Sequence, residues 1–438
     1  MGVSLVVFNP VVIAVFVMCL LCLLRFNVLL SIIAASLVAG LVSGLGVMET
    51  MSVMIAGMRG NLETALSYIL LGALAVAISR GNLTKILIFK MAKLIDGRAI
   101  FLCFFIAFIA CFSQNLIPVH IAFIPILIPP LLGLLNRLKI DRRAIACALT
   151  FGLEAPYVCI PVGFGLIFHT ILRDQMIQNG IMVNLSDIAS VMWIGGVSMF
   201  VGLVIAILIL YAKPRVYRDT ILASQEHKLE NLKLGVSDYF MLLGAFCAFG
   251  VQIITGSLPL GAFVGLVVML AGKVIKWGEM DMVIDEGMKM MAFIAFVMLI
   301  AAGFGEVLKE SGAIQELVEI TAASVGGKLG GAILMLVIGL LITLGIGTSF
   351  GTIPVIAAFY CPLCVALGFD KSATILLLGI AGALGDAGSP ASSSTMGPTA
   401  GLNADGQHNH IWDTCVPTFI AYNIPLFVFG VVGAMLLG

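Results

Sequence analysis

The chain has 438 residues, of which 61% are hydrophobic and 11% charged, and its 23 basic residues balance its 23 acidic ones. Soluble domains carry about 25% charged residues, so the composition excludes a soluble enzyme or binding module and gives nucleic acid nothing to hold. It defines an all-α polytopic membrane protein, and at about 20 apolar residues per crossing the length allows roughly ten crossings.

In chain order, Leu5 to Leu24 reads as a first span. It lacks the basic flank and small-residue cleavage site of a signal peptide, and Val6 stands where a myristoylation signal needs Ser or Thr. Spans follow at 27–46 and 64–79. Gly81 to Asp96 mixes Lys85, Lys90 and Lys93 with large apolar residues, the pattern of an interfacial amphipathic helix. The stretch 99–136 is a hairpin interrupted by Ser113-Gln114-Asn115, either two full spans or re-entrant with a polar tip. The stretch 141–170 reads as a broken helix, interrupted at Gly152 to Pro156 and again at Pro161 to Gly165. A span at 188–211 precedes a hydrophilic linker, 213–236, expected in the cytoplasm.

The pattern then repeats. Spans fall at 239–254, 258–274 and 290–308. A polar stretch, Lys309 to Lys328, is followed by a second hairpin at 330–368, interrupted at Gly347 to Thr352. A second broken helix spans 371–402, and a last span covers 413–437. An offset of 229–230 sets Gly57 on Gly287, Pro125 on Pro354, Asp141 on Asp370 and Pro161 on Pro390. These matches indicate two repeats, 1–212 and 237–438, of about five crossings each. An odd number of crossings per repeat inverts the second relative to the first. The resulting map puts 18 of the 23 Lys and Arg on the linker side and five (Arg59, Arg173, Lys309, Lys328, Lys371) on the other. With the positive side inward, the linker is cytoplasmic and both termini face outward.

Chemistry concentrates where the helices break. Irregular backbone is tolerated in lipid only where it is buried or lines a wet cavity, and secondary transporters build ion and solute sites there. Gly382 to Pro398 carries Asp386, Ser389, Ser392, Ser393 and Thr395 between Pro390 and Pro398. The first broken helix carries Glu154 beside Pro156 and Pro161. A carboxylate at the helix centre costs about 2.5–3.5 kcal/mol on insertion scales, which makes Glu154 and Asp386 functional candidates. The hairpin tips, Ser113-Gln114-Asn115 and Thr348-Ser349, would meet these breaks from opposite sides. Oxygen donors at Asn115, Ser389, Ser392 and Asp386 would suit Na⁺. The ten cysteines lie mostly in apolar runs and read as small core residues, with no cofactor implied. His120 and His169 could relay protons or sit satisfied in the core. His408 and His410 form a polar loop without a third metal ligand nearby. Asp405 is expected to be solvated, and Asp413 to face the N-terminus of the last span.

Gly385-Asp-Ala-Gly-Ser-Pro-Ala-Ser-Ser-Ser-Thr395, with Asp413-Thr-Cys-Val-Pro417 after it, resembles the NhaC-type Na⁺/H⁺ antiporter family. Gly397-Pro-Thr-Ala-Gly-Leu-Asn403 and Asp405-Gly-Gln-His408 bring it closer to that family's amino-acid permease branch. The resemblance implies the ion transporter superfamily fold: inverted repeats, two re-entrant hairpins, two unwound helices and a homodimer. It departs at Ser393, where the antiporter pattern usually has Asp, which leaves Asp386 and Glu154 as the titrating candidates.

The function expected is a cation-coupled (Na⁺ or H⁺) secondary transporter of the cell membrane, moving a small polar solute such as an amino acid. An Na⁺/H⁺ antiporter without organic substrate is the rival. An intramembrane hydrolase on Ser389 or Ser394 would need a base beside the serine, and a channel could also be lined by broken helices.

Overall fold

The computed structural model describes residues 9–24, 26–59, 62–79, 99–115, 123–218, 235–313, 326–390 and 392–438, and the regular structure among them is entirely helical. His120, the expected interfacial helix at 81–96 and most of the linker lie outside the described residues. The helices are α1 (Pro10–Leu23), α2 (Val28–Val42), α3 (Val47–Met58), α4 (Leu62–Ser79), α5 (Ala99–Asn115), α6 (Phe123–Arg137), α7 (Arg142–Cys159), α8 (Phe164–Gln178) and α9 (Leu185–Ile205). After the linker come α10 (Val236–Thr255), α11 (Leu258–Ala271), α12 (Met280–Glu310), α13 (Lys328–Ile346), α14 (Ser349–Ala366), α15 (Lys371–Ala383), α16 (Ser393–Leu402) and α17 (Val416–Leu437). Wide turns extend α9 to Leu210 and begin the last helix at His410.

Two elements differ from expectation. Helix α3 falls between two expected spans, because Glu49 and Ser52 make it too polar to stand out among apolar runs. Helix α12 starts at Met280, ten residues early. Its first turns bury Val283 and Gly287 while exposing Asp281, Asp285, Glu286 and Lys289, an amphipathic extension that needs no continuous apolar run.

The helices pack in two groups. The first holds α1 to α4 with α10 to α12, and the second α5 to α9 with α13 to α17; they meet where α12 packs on α14 and α1 on α13. In the first group backbones touch directly. A Cβ on Gly57 would lie 3.0 Å from the Gly303 Cα, and one on Gly287 only 2.4 Å from the Ala73 amide nitrogen. In the second group a Cβ on Gly152 would lie 2.2 Å from the Ala110 side chain, and one on Gly339 2.7 Å from that of Ala381. Small residues that bring backbones together are how helices associate without a hydrophobic driving force. Helix α6 packs on α16, and α14 on α8.

The broken elements sit inside the second group. Helices α7 and α8 meet at 46° across residues 160–163, where Ile160 is extended and Gly163 has φ +59°. A Cβ on Gly165 would fall 1.8 Å from the Ile160 carbonyl oxygen, so the bend requires glycine there. Helices α15 and α16 are separated by residues 384–392, with Gly385 at φ +87° and Gly388 at φ +104°. Pro161 and Pro390 lie in these breaks. Pro156 and Pro398 do not break their helices as expected; both lie inside helix. Pro398 cannot bond the Ser394 carbonyl four residues back, and the Thr150 hydroxyl donates to that oxygen instead, at 2.9 Å. Proline is tolerated in a membrane helix when a neighbour re-satisfies the freed group in this way.

Candidate functional site

One face of α7 organises the centre. Thr150, Glu154 and Tyr157 stand at i, i+4 and i+7, so they share a stripe, and α7 packs this side of the chain on α16. All three are buried. Opposite them lies the unwound stretch 384–392, and the turn Gly347–Thr348 between α13 and α14 closes the third side.

Asp386 is the hub, at 5% exposure. Its Oδ2 accepts from the Ser349 amide at 2.9 Å, the Ser349 hydroxyl at 2.6 Å and the Tyr157 hydroxyl at 3.0 Å. Its Oδ1 accepts from the Ser392 hydroxyl. The Ser349 amide belongs to the first turn of α14, where unsatisfied N–H groups favour a negative charge. Asp386 thus ties the hairpin turn, the first broken element and the second into one cluster. The hydroxyls extend it: Ser392 Oγ lies 2.7 Å from Ser394 Oγ, and Thr395 donates to the carbonyls of Ser389 and Ser392 at 2.5 and 3.0 Å. Ser389 donates to the Leu344 carbonyl at 3.0 Å.

Side chains from neighbouring helices hold the freed backbone. Asn423 of α17 accepts from the Gly385 amide at 2.7 Å and donates to the Ala387 carbonyl at 2.6 Å. The Thr343 hydroxyl lies 3.3 and 3.4 Å from the carbonyls of Ala381 and Gly382 at the end of α15. His410 contacts the Pro390 carbonyl through Nε2 at 3.0 Å and Thr399 through Nδ1 at 2.7 Å. Buried backbone groups are almost always paired, and here unwinding leaves side chains to do it.

Glu154 is the exception. It is 2% exposed, and its Oε1 has no hydrogen-bond partner. Its carboxyl neighbours the Ser394 side chain and the Asp386 charge. Beside the hub lies an aromatic cluster: Phe350 sits 5.1 Å from Tyr157 and 6.1 Å from Tyr68 of α4 between ring centroids. The Tyr68 hydroxyl is also buried without a partner.

The structure therefore brings together Glu154, Ser349, Asp386, Ser389, Ser392 and Thr395. Thr348 caps α14 beside them, and Ser393 opens α16 half-buried. Ser113, Gln114 and Asn115 end α5, and the turn after them, 116–122, lies outside the described residues. His169 meets the Val158 carbonyl at 3.0 Å near the end of α7. Sequence reasoning missed Thr150, Tyr157, Thr343 and Asn423. The helical spacing of Thr150 and Tyr157 around Glu154 was the available signal.

Asp405 is not solvated. Arg142 at the start of α7 grips it with two bonds, 2.7 and 2.6 Å, both side chains being at most 1% exposed. Arg142 also donates to the Leu402 carbonyl at 2.9 Å and lies 4.3 Å over the Tyr217 ring. Burial raises the Asp405 pKa, but the Arg142 guanidinium and the Gln407 backbone and side-chain amides together outweigh it and hold the carboxyl below its ordinary value. The start of the linker is fastened here too: Arg215 pairs with Asp413 at 2.8 Å, and Arg218 exchanges hydrogen bonds with Gln407 at 2.8 and 2.9 Å.

A multi-pass helical membrane protein with two broken helices and a hairpin turn around buried carboxylates and hydroxyls is a secondary transporter in class. Known proteins agree. Residues 148–431 match the Na⁺/H⁺ antiporter family, and residues 9–95 match a second Na⁺-H⁺ antiporter family. An uncharacterized membrane protein of Vibrio parahaemolyticus is 47% identical over 98% of this chain and 100% of its own. The "Putative amino acid transporter YuiF" of Bacillus subtilis is 46% identical over 98% and 100%. Among solved structures, the fold is similar to Neisseria gonorrhoeae MtrF, described within a class of antimetabolite efflux pumps (TM-score 0.61, 14% identity, 90% of this chain and 85% of that one). It is also similar to the Alcanivorax borkumensis YdaH transporter (TM-score 0.60, 16% identity, 88% and 87%). The chain belongs to the Na⁺/H⁺ antiporter family.

Proposed function

We propose that this transporter couples a cation, Na⁺ or H⁺, to the movement of a small amino-acid-type solute across the cell membrane, exposing one buried site alternately to the two sides. The observation that carries the proposal is the cluster at Asp386, where a hairpin turn and both broken elements converge on two buried carboxyls. Glu154, Ser349, Asp386, Ser392 and Ser394 form its centre, and the first hairpin tip, Ser113 to Asn115, is proposed to complete it. Support for the solute class comes from the Bacillus subtilis relative and from the Gly397 to Asn403 motif. Cation exchange without organic solute is the second reading, and the family's own description favours it.

The framework proposed is an inverted duplication, 1–212 and 237–438, joined by a cytoplasmic linker. Support comes from paired contacts. A shift of 229 turns the Gly152–Ala110 contact into Ala381–Gly339, and a shift of 230 turns Gly57–Gly303 into Gly287–Ala73. The packing of α6 on α16 becomes that of α14 on α8. Tyr157 and Asp386, 229 positions apart, touch, as equivalent positions do at a two-fold axis. Re-entrance of the second hairpin is supported by its turn, which stops at Asp386, midway along 371–402. Sidedness is supported by contacts among charges: Lys371 pairs with Asp187 at 2.9 Å and Lys309 donates to the Gln178 carbonyl at 3.4 Å. Asn9 and the C-terminal Gly438 are assigned to that end, since Asn9 donates to the Ala313 carbonyl and Lys328 to that of Gly438.

The test is uptake of labelled amino acids into proteoliposomes under a Na⁺ or proton gradient, beside a pH-dye assay with Na⁺ or Li⁺. Gradient-driven uptake is expected; a dye response without uptake of any amino acid rejects the permease reading.

A further inference from the structure

The two buried carboxyls at the centre are not alike, and the difference separates their roles. Asp386 receives four hydrogen bonds, three on Oδ2 and one on Oδ1. All four donors come from the protein, and one is a backbone amide that cannot be withdrawn without moving the hairpin. Glu154 Oε1, equally buried, receives none. An isolated ionised carboxylate in a dry interior costs several kcal/mol even after relaxation, so this oxygen needs a proton or a cation supplied from outside the chain.

The surroundings choose between them. A bare Na⁺ needs several oxygens turned toward it. Among the described residues around Glu154 the Ser394 hydroxyl faces its carboxyl, and the other oxygens are turned elsewhere: Ser392 to Asp386 and Ser394, Thr395 to the Ser389 and Ser392 carbonyls, Thr150 to the Ser394 carbonyl. A proton needs one acceptor and no rearrangement. We infer that Glu154 is the group that carries the coupling proton, and that Asp386 is a positioning residue that fastens the hairpin turn to the two broken elements. This rests on the proposed cation-coupled transport and decides its ion. In each cycle Glu154 Oε1 takes a proton from water on one side and returns it to water on the other, with no other bond made or broken. The titratable groups facing Glu154 are Asp386 from the unwound stretch, Tyr157 on its own helix and Tyr422 from α17, which also neighbours Cys111 of α5.

The experiment uses the full-length protein in proteoliposomes. Glu154→Gln is expected to lose accumulation of the labelled solute driven by a proton gradient and to make what counterflow exchange it retains independent of pH; Glu154→Asp is expected to restore both the accumulation and the pH dependence of wild type. Asp386→Asn is expected to lose counterflow at every pH. Accumulation by Glu154→Gln on a proton gradient alone, counterflow by Glu154→Gln that keeps the wild-type pH dependence, or failure of Glu154→Asp to restore accumulation overturns the inference. If wild type moves no amino acid, the permease reading fails, and the dye assay decides this one: proton movement must be present in wild type and absent in Glu154→Gln. Should Glu154→Gln not fold, wild type itself is treated with an apolar carbodiimide, which modifies protonated buried carboxyls. Mass spectrometry should find the adduct on Glu154, and an adduct on Asp386 but not on Glu154 overturns the assignment.

Discussion

The hydroxyl of Tyr157 donates to the carboxylate of Asp386 at 3.0 Å, across 229 residues of sequence. Tyr157 belongs to the stretch before the first break and Asp386 to the second break itself, so this bond and the two from Ser349 close the centre of the molecule from three directions. Hydrogen bonds to charged groups contribute about 1.5–3 kcal/mol each. Tyr157→Phe and Ser349→Ala should therefore each slow transport roughly tenfold to a hundredfold while leaving expression intact. Asp386→Asn should abolish it. Initial rates in proteoliposomes check all three, and normal transport by Asp386→Asn would remove Asp386 from the site.

The ion pair of Arg142 and Asp405 joins the start of α7 to the loop after α16 out of contact with water. Removing one partner of such a pair costs about 3–5 kcal/mol, because the other is left buried and uncompensated. Arg142→Met and Asp405→Leu should each lower the melting temperature sharply in detergent. The double variant should recover much of the loss, which a double-mutant cycle measures directly.

The same pair gives a pH dependence. The Asp405 carboxyl is held below its ordinary value of 3.8 in the folded protein. A folded value below the unfolded one means stabilisation that is complete above the unfolded value and is lost as pH falls through the folded one. The melting temperature of wild type should therefore fall more steeply below pH 3.8 than that of Asp405→Asn.

Gly388 has φ +104°, and a Cβ there would lie 2.5 Å from the Phe419 Cβ. Left-handed backbone costs a residue with a side chain about 1–2 kcal/mol before any clash. Gly388→Ala should cut both thermal stability and transport, whereas Gly406→Ala, with open space around it, should show only the backbone penalty. Melting curves of the two variants separate the contributions.

Orientation is open to labelling. A cysteine replacing Lys213 at the start of the linker should react with an impermeant thiol reagent only from the cytoplasm, and one replacing Lys371 only from outside. The reverse result would invert the proposed arrangement.

Much of this was legible in the sequence, because breaks in apolar runs have a chemical signature. Gly385 to Thr395 announces an unwound stretch by its glycines, hydroxyls and single carboxylate, and the structure unwinds there. Glycine at 163 and 165 with proline at 161 marks the other bend. Pro156 and Pro398 misled because proline removes one backbone bond, and whether a helix breaks depends on a neighbour such as Thr150, distant in sequence, that re-satisfies the carbonyl. Asp405 misled for the same reason. Its loop is mostly polar, and the approach of Arg142 from 263 positions away buries it. Asn423 sits in an otherwise apolar helix, and nothing local says that it will bridge Gly385 and Ala387.

The backbone docking of α12 has a mechanical consequence. Gly303 meets Gly57, and Gly287 meets Gly72 and Ala73, with no side chain between them to lean or repack, so the first helix group forms a stiff keel. Give is available instead along the seam where Tyr68 rests edge-on against Phe350, because rings can slide past each other where touching main chains cannot.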